Sequence, residues 1–313
     1  MQNRGNRNAA MLFQGISANY KESFATLSKA QLDEIKQYSQ VVQEIYSFDL
    51  WSYICDRDYY TENNPVMDWM AIYAANHSIY QSYLDAGFIP SMSLGYSMGV
   101  ITAIACNGAI SFEEGLEVLT GISKYKEKHT KLKENMAILI GRTDVEVTET
   151  IVHENLLDHV DVSIINNDDC ITISGTDEAV EQIVRVNIEA GALKAFKLNS
   201  SIAFHSHYAK DGIQDLEAVL DGILFKDIKV PILSVYSQEP LYHGSELKQE
   251  VIRNMYSKMD WMNTLQVATN RGVNAFIDVS TDASLTKLSR LVLDEHEFIT
   301  IRKLNRMLNK VNI

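Results

Sequence analysis

Leu94-Gly95-Tyr96-Ser97-Met98-Gly99 reads G-x-S-x-G. Ile89-Pro90 to Leu94 leads in with strand character, and Val100 to Cys106 follows with helical character. The sequence therefore predicts strand, sharp turn, helix. A nucleophile elbow needs that order, because the turn lifts a serine oxygen off the backbone and points it at substrate. The flanking glycines leave room for strand and helix to approach closely. An ordinary Gly/Ser turn carries the same letters, so the motif alone is a hypothesis.

Working outward, the N-terminal side supplies a short buried strand, Ala9 to Gly15, and a loop, Gly15-Ile16-Ser17-Ala18-Asn19. Helical periodicity runs from Tyr20 to Tyr46, broken around Ser28 to Gln31, and another helical turn is expected over Asp49 to Cys55. Thr61-Glu62-Asn63-Asn64-Pro65 has turn chemistry. Val66 to Ala86 repeats apolar residues at helical spacing and is closed by Gly87. Past the elbow helix, Ser111-Phe112-Glu113-Glu114 is a capping box opening a helix to Lys133.

At Met136 the pattern changes. Strands are expected at 136–140, 160–165, 170–174 and 192–198, with helices over 147–155 and 177–190. That βαββαβ order is the split, ferredoxin-like arrangement. The predicted fold class is α/β: an α/β-hydrolase-like large domain, residues 8–134 and 199–313, with an inserted ferredoxin-like small domain, residues 135–198. Lys229 to Val235 and Ala275 to Val279 read as further strands of the large sheet, with one helix from about Ser245 to Arg271 between them.

Bulk properties exclude several classes. The chain has 313 residues, 46% hydrophobic and 22% charged, an ordinary globular composition. Its net charge of −13, from 28 basic and 41 acidic residues, makes it a poor partner for nucleic acid or an anionic membrane. No run is long enough to span a bilayer, and no secretory signal is visible at the N-terminus. Cys55, Cys106 and Cys170 are far apart and form no metal spacing, so a reduced, cytoplasmic protein without a metal is expected.

A nucleophilic serine needs a base within hydrogen-bond reach. His77, His153 and His159 lie on helices or their ends, where structural or surface roles are commoner. His205 and His207 stand where the chain rejoins the large domain, and spacing alone does not choose between them.

Six stretches together resemble the malonyl-CoA:acyl-carrier-protein transacylase family. They are Met11 to Gly15, Gly95 to Gly99, Asn107 to Glu114, Asn135 to Gly141, Ala203 to Ser206 and Gly272 to Val279, in register over nearly the whole chain. The family's fold has the same two-part architecture. The resemblance implies Ser97 as nucleophile and His205 as general base, the histidine oriented by a main-chain carbonyl at Asn254. It implies an oxyanion hole from the N–H groups of Ile16 and Met98, each donor being worth about 3 kcal/mol at a transition state. The implied chemistry is acyl transfer between thioesters through a serine ester. No cofactor is tightly bound, and the substrate thiol is the phosphopantetheine of acyl carrier protein, or coenzyme A.

Three departures shape the expected substrate. Ile16 stands where the family has glutamine, and Tyr96 where it usually has histidine. Ile122 stands where it carries an arginine that pairs with the free carboxylate of malonyl groups. A buried carboxylate beside Ile122 would lack a partner. Lys124, two positions on, lies about 200° round the helix and does not replace it. These departures resemble a branch that hydrolyses non-carboxylated acyl groups from carrier proteins, an editing step in polyketide assembly. Ala203-Phe204-His205, in contrast, resembles the signature of malonyl-type enzymes, which leaves loading of a synthase from acyl-CoA as the alternative. Phe204 would narrow the pocket. The basic run Lys124 to Lys133, with Lys124, Lys128 and Lys131, is either a solvated helix face or a docking face for acyl carrier protein.

Overall fold

The computed structural model describes residues 8–15, 20–55, 65–198 and 200–311. Eleven strands are described: β1 (Ala9–Phe13), β2 (Met92–Gly95), β3 (Glu134–Ile140), β4 (Val160–Asn167), β5 (Cys170–Thr176), β6 (Lys194–Lys197), β7 (Ile232–Leu233), β8 (Pro240–Leu241), β9 (Met259–Asp260), β10 (Ala275–Val279) and β11 (Glu297–Ile299). They form a six-stranded sheet, ordered β11-β10-β1-β2-β7-β8, and a five-stranded sheet, ordered β6-β3-β5-β4-β9.

The first sheet is parallel except for β8. β1 lies at its centre, with Leu12 opposite Asp278 on one side and Leu94 on the other. All five β1 residues are buried. They show no polar alternation because helices cover both faces, as parallel sheets require. The period of two survives in what each residue packs against. Met11 and Phe13 face the core shared with helices Pro65–Asp85, Gly99–Cys106 and Phe112–His129. Ala10 and Leu12 face a second core containing Trp261 and Leu265.

Local chemistry sets the helix boundaries. The break expected near Ser28 is real: Ser28 Oγ accepts from Gln31 N–H at 3.3 Å and Gln31 Oε1 accepts from Ser28 N–H at 2.8 Å, opening helix Lys29–Tyr46. Ser111 and Glu114 form the same reciprocal cap, at 3.1 and 2.7 Å. That helix ends at His129, four residues short of the expected Lys133. Residues 61–64 of the expected turn lie outside the described residues, and Pro65 opens the following helix, where its missing N–H costs nothing.

Residues 134–198 fold as strand, helix, strand, strand, helix, strand, with helices Asp144–His153 and Asp177–Glu189 packed over one core. One expected element is wrong. The single helix over 245–271 is two helices, Gly244–Tyr256 and Trp261–Asn270, separated by β9. Ser257 is extended, β9 pairs with Ile164 and Ile165 of β4, and Asp260 caps the second helix through Asn263 N–H. The apolar spacing of Met255, Met259, Trp261 and Leu265 imitates one helix, but Met259 is spent on the second sheet. That sheet therefore draws a strand from outside residues 135–198.

Candidate active site

Ser97 sits at the tip of the turn between β2 and helix Gly99–Cys106, with φ of +53°. Non-glycine residues rarely hold that conformation, and where they do the surroundings enforce it. Here the enforcement is steric. A Cβ on Gly99 would lie 2.0 Å from the Phe13 carbonyl oxygen, and one on Gly95 would lie 2.4 Å from Val100 Cα. The carbonyls of Tyr96 and Ser97 accept from Gly99 and Val100 N–H at 2.9 and 3.1 Å. No described residue accepts from Met98 N–H, which lies at the start of that helix. Ile16 lies outside the described residues.

His205 arrives on the chain that returns from the second sheet. It is 1% exposed, also with positive φ, and its N–H donates to the Met255 carbonyl at 2.7 Å. Its Nε2 lies 2.9 Å from Ser97 Oγ. His207, the alternative from sequence, instead turns to the Asp161 carboxylate, 2.9 Å from its Nδ1. Burial disfavours the imidazolium and pushes the His205 pKa down to about 4, opposed by a hydrogen bond with the Ser257 main chain. A neutral imidazole against a hydroxyl is the arrangement that lets a serine lose its proton as it attacks.

The helix end from Asn254 to Ser257 lies against His205. Helix Gly244–Tyr256 ends there, and its Met255 carbonyl accepts from His205 N–H. Asn254 reaches the site with its side chain: its Oδ1 accepts from the Tyr236 hydroxyl at 2.8 Å, and that hydroxyl lies 3.4 Å from His205 Nδ1.

A small cavity borders the elbow. Trp69, Ile72, Tyr73, Met98 and Leu119 wall it, with Gln14 and Thr102 contributing an amide and a hydroxyl. No charged side chain lines it among the described residues. Ile122, one helical turn past Leu119, is 0% exposed within the large core. Phe204 stands behind Trp69, ring centroids 6.1 Å apart. Tyr96 spends its hydroxyl on Asn166 Oδ1 of β4, at 2.7 Å, and stacks edge-on with Trp261. It ties the elbow to the second sheet.

The other side of His205 is different. A groove there is lined by Asp161, His207, Lys210, Tyr256 and Lys258. Lys258 pairs with Asp144, whereas Lys210 lies over the Tyr256 ring, 5.2 Å from its centroid. The basic run farther off is partly neutralised: Lys128 meets Asp215 at 2.7 Å and Lys131 meets Asp211 at 3.8 Å, while Lys124 is exposed.

Residues 24–305 match the acyl transferase domain family. The chain belongs to that family. It is an acyl transferase family enzyme. It is 23% identical over 301 residues to the malonyl CoA-acyl carrier protein transacylase of Buchnera aphidicola, covering 96% of each chain. It is 25% identical over 276 residues to the polyketide biosynthesis protein PksE of Bacillus subtilis, covering 88% of this chain but 36% of that protein. Its mixed α/β fold superimposes, with a TM-score of 0.86, on a malonyl-transacylase solved in complex with a type II polyketide synthase acyl-carrier protein (21% identity, 97% of this chain and 99% of that one). The malonyl CoA-acyl carrier protein transacylase of Coxiella burnetii gives the same score at 19% identity, with 98% and 97% covered. No helix among the described residues is long and apolar enough to cross a membrane.

Tyr236, Ser257, Trp69 and Lys210 were not singled out from sequence. Tyr236 and Ser257 depend on how a turn and a helix end meet, which has no local signature. Glu250 and Asn254, four apart on one helix, were the available hint.

Proposed function

We propose that this acyltransferase-family enzyme works through a Ser97 acyl ester and hydrolyses non-carboxylated acyl groups from acyl carrier protein. Ser97 Oγ attacks the thioester carbonyl while His205 Nε2 takes its proton. The departing thiol, phosphopantetheine or coenzyme A, leaves with that proton. Met98 N–H, at a helix start where the backbone favours negative charge, steadies the oxyanion, with Ile16 N–H as its expected second donor. Water then attacks the ester, with His205 again as base.

The observation that carries the acyl preference is the uncharged cavity beside the elbow, walled on one side by Leu119, with Ile122 buried one helical turn farther on. A carboxylate there would be desolvated without a counter-charge, which costs several kcal/mol. Phe204 and Trp69 hold the wall, and Tyr96 holds the elbow in place. Two faces could meet an acidic carrier: the groove with Lys210 and Lys258, and the face with Lys124, Lys128 and Lys131, each partly neutralised by carboxylates. We read the two parts as an α/β-hydrolase-like large domain (8–134 and 199–313) and a ferredoxin-like insert (135–198). An editing role in cytoplasmic polyketide synthesis fits the likeness to PksE.

The second reading is transfer of a malonyl-type group from coenzyme A to a carrier protein. It is favoured by the full-length match to the Buchnera transacylase. The fate of the acyl group separates the two. Butyryl carrier protein is incubated with the enzyme and an equimolar unloaded carrier of different mass, and intact masses are followed. Loss of butyryl without its appearance on the second carrier supports hydrolysis; efficient relocation to it overturns hydrolysis.

A further inference from the structure

Helix Gly244–Tyr256 presents two side chains, Glu250 and Asn254, one turn apart toward the turn between β7 and β8. Glu250 holds the base of that turn: Ser234 Oγ donates to Oε2 at 2.8 Å and Val235 N–H to Oε1 at 3.3 Å. Ser234 Oγ in turn accepts from the N–H groups of Tyr236 and Ser237, at 3.1 and 2.9 Å. Asn254 holds the tip, accepting the Tyr236 O–H at 2.8 Å. The tyrosine oxygen is thereby fixed 3.4 Å from His205 Nδ1, opposite the nitrogen that faces Ser97.

Proton placement follows from counting donors. Nε2 faces the Ser97 hydroxyl at 2.9 Å and must be bare to act as base, so in the neutral ring Nδ1 carries the hydrogen. The single Tyr236 proton is committed to Asn254, which leaves an oxygen lone pair for Nδ1–H. We propose that Tyr236 is a positioning residue: its hydroxyl, oriented by Asn254, accepts from His205 Nδ1–H and keeps Nε2 bare toward Ser97. The reverse arrangement, with Tyr236 donating to Nδ1, would place the proton on Nε2 and remove the base. A neutral acceptor then does what a carboxylate does in a serine triad, where a group behind the histidine sets its tautomer and steadies the imidazolium.

This rests on the Ser97–His205 reading, and the test separates the two. The pH dependence of hydrolysis of acetyl-S-N-acetylcysteamine is measured for wild type, Ser97→Ala and Tyr236→Phe. The expected result for Tyr236→Phe is a kcat about tenfold lower with KM unchanged, because a bond to the forming imidazolium is lost. Its acidic limb moves to lower pH, because the charged ring has lost an acceptor. A Tyr236→Phe enzyme with wild-type kcat and acidic limb, or one whose loss lies in KM, overturns the proposal. Ser97→Ala turning over like wild type would instead sink the reading beneath it. Should Tyr236→Phe lose its cooperative melt, the imidazole ¹⁵N spectrum of the wild type decides. Protonated Nδ1 and bare Nε2 support the relay, and a dominant Nε2–H form overturns it.

Discussion

The two sides of His205 are built from opposite materials. On the Ser97 side the walls are aromatic and aliphatic, and no described side chain carries a charge. On the far side, His207, Lys210, Lys258 and Asp161 line an open groove. Water and salt screen charges in the groove, so contacts there steer and select a partner more than they bind it tightly. In the uncharged cavity an unpaired charge has no partner among the described residues, which makes its burial costly. One histidine thus divides a side lined by uncharged side chains from a side lined by charged ones, which under the proposed function would take the acyl chain and the carrier respectively.

The largest effect tests whether both sides serve one nucleophile. Ser97→Ala should lower thioester turnover by roughly a thousandfold or more, measured as thiol release, and should leave no acyl adduct by mass. Turnover near the wild-type rate would show that the two sides do not meet at Ser97.

The next effect sharpens the buried side. Burial lifts the Glu250 pKa to about 7, against the hydrogen bonds from Ser234 and Val235. The unfolded chain ionises this group near 4.5, whereas the folded one keeps its proton until about 7. Stability should therefore fall as pH rises across that window, by up to about 3 kcal/mol. Glu250→Gln should flatten that slope in denaturant melts at pH 5, 6 and 7. An unchanged slope would remove Glu250 as its source.

A third test moves to the groove. Lys210→Glu should raise the KM for an acyl carrier protein about tenfold while affecting a small acyl-thioester much less. Equal loss on both substrates would break the distinction between the two sides. The smallest effect concerns His205. Because its folded pKa is near 4 and its unfolded pKa near 6.5, the protein loses stability as pH falls from about 6.5 to 4. The base nevertheless stays mostly neutral until the pH comes close to that folded pKa. Small-thioester turnover at pH 5.5 should stay within about twofold of its value at pH 7. A midpoint near 6.5 would mean that the ring is better hydrated than its burial implies.

Much of this was legible in the sequence because it is written in local chemistry. The elbow glycines and the Ser111–Glu114 cap each name their own geometry. The pairing of Ser97 with His205 was readable only through the register of several stretches, and His207 stayed open until the fold turned it to Asp161. The false helix over 245–271 shows where local reading stops. Met259 fits a helical stripe, and only its partner Ile164, nearly a hundred positions earlier, reveals a strand. Asn254 was legible only through the resemblance, and that its side chain meets the Tyr236 hydroxyl depends on how a helix and a distant turn come together.

The central claim is that the Ser97 side admits only an uncharged acyl group. The direct measurement is a competition: equal amounts of butyryl- and malonyl-loaded carrier protein are mixed with the enzyme, quenched in acid within a turnover, and the enzyme's intact mass is read. The account predicts a butyryl adduct exceeding the malonyl adduct by at least about a hundredfold, the equivalent of roughly 3 kcal/mol for an unpaired buried carboxylate. A malonyl adduct equal to or larger than the butyryl one would contradict it.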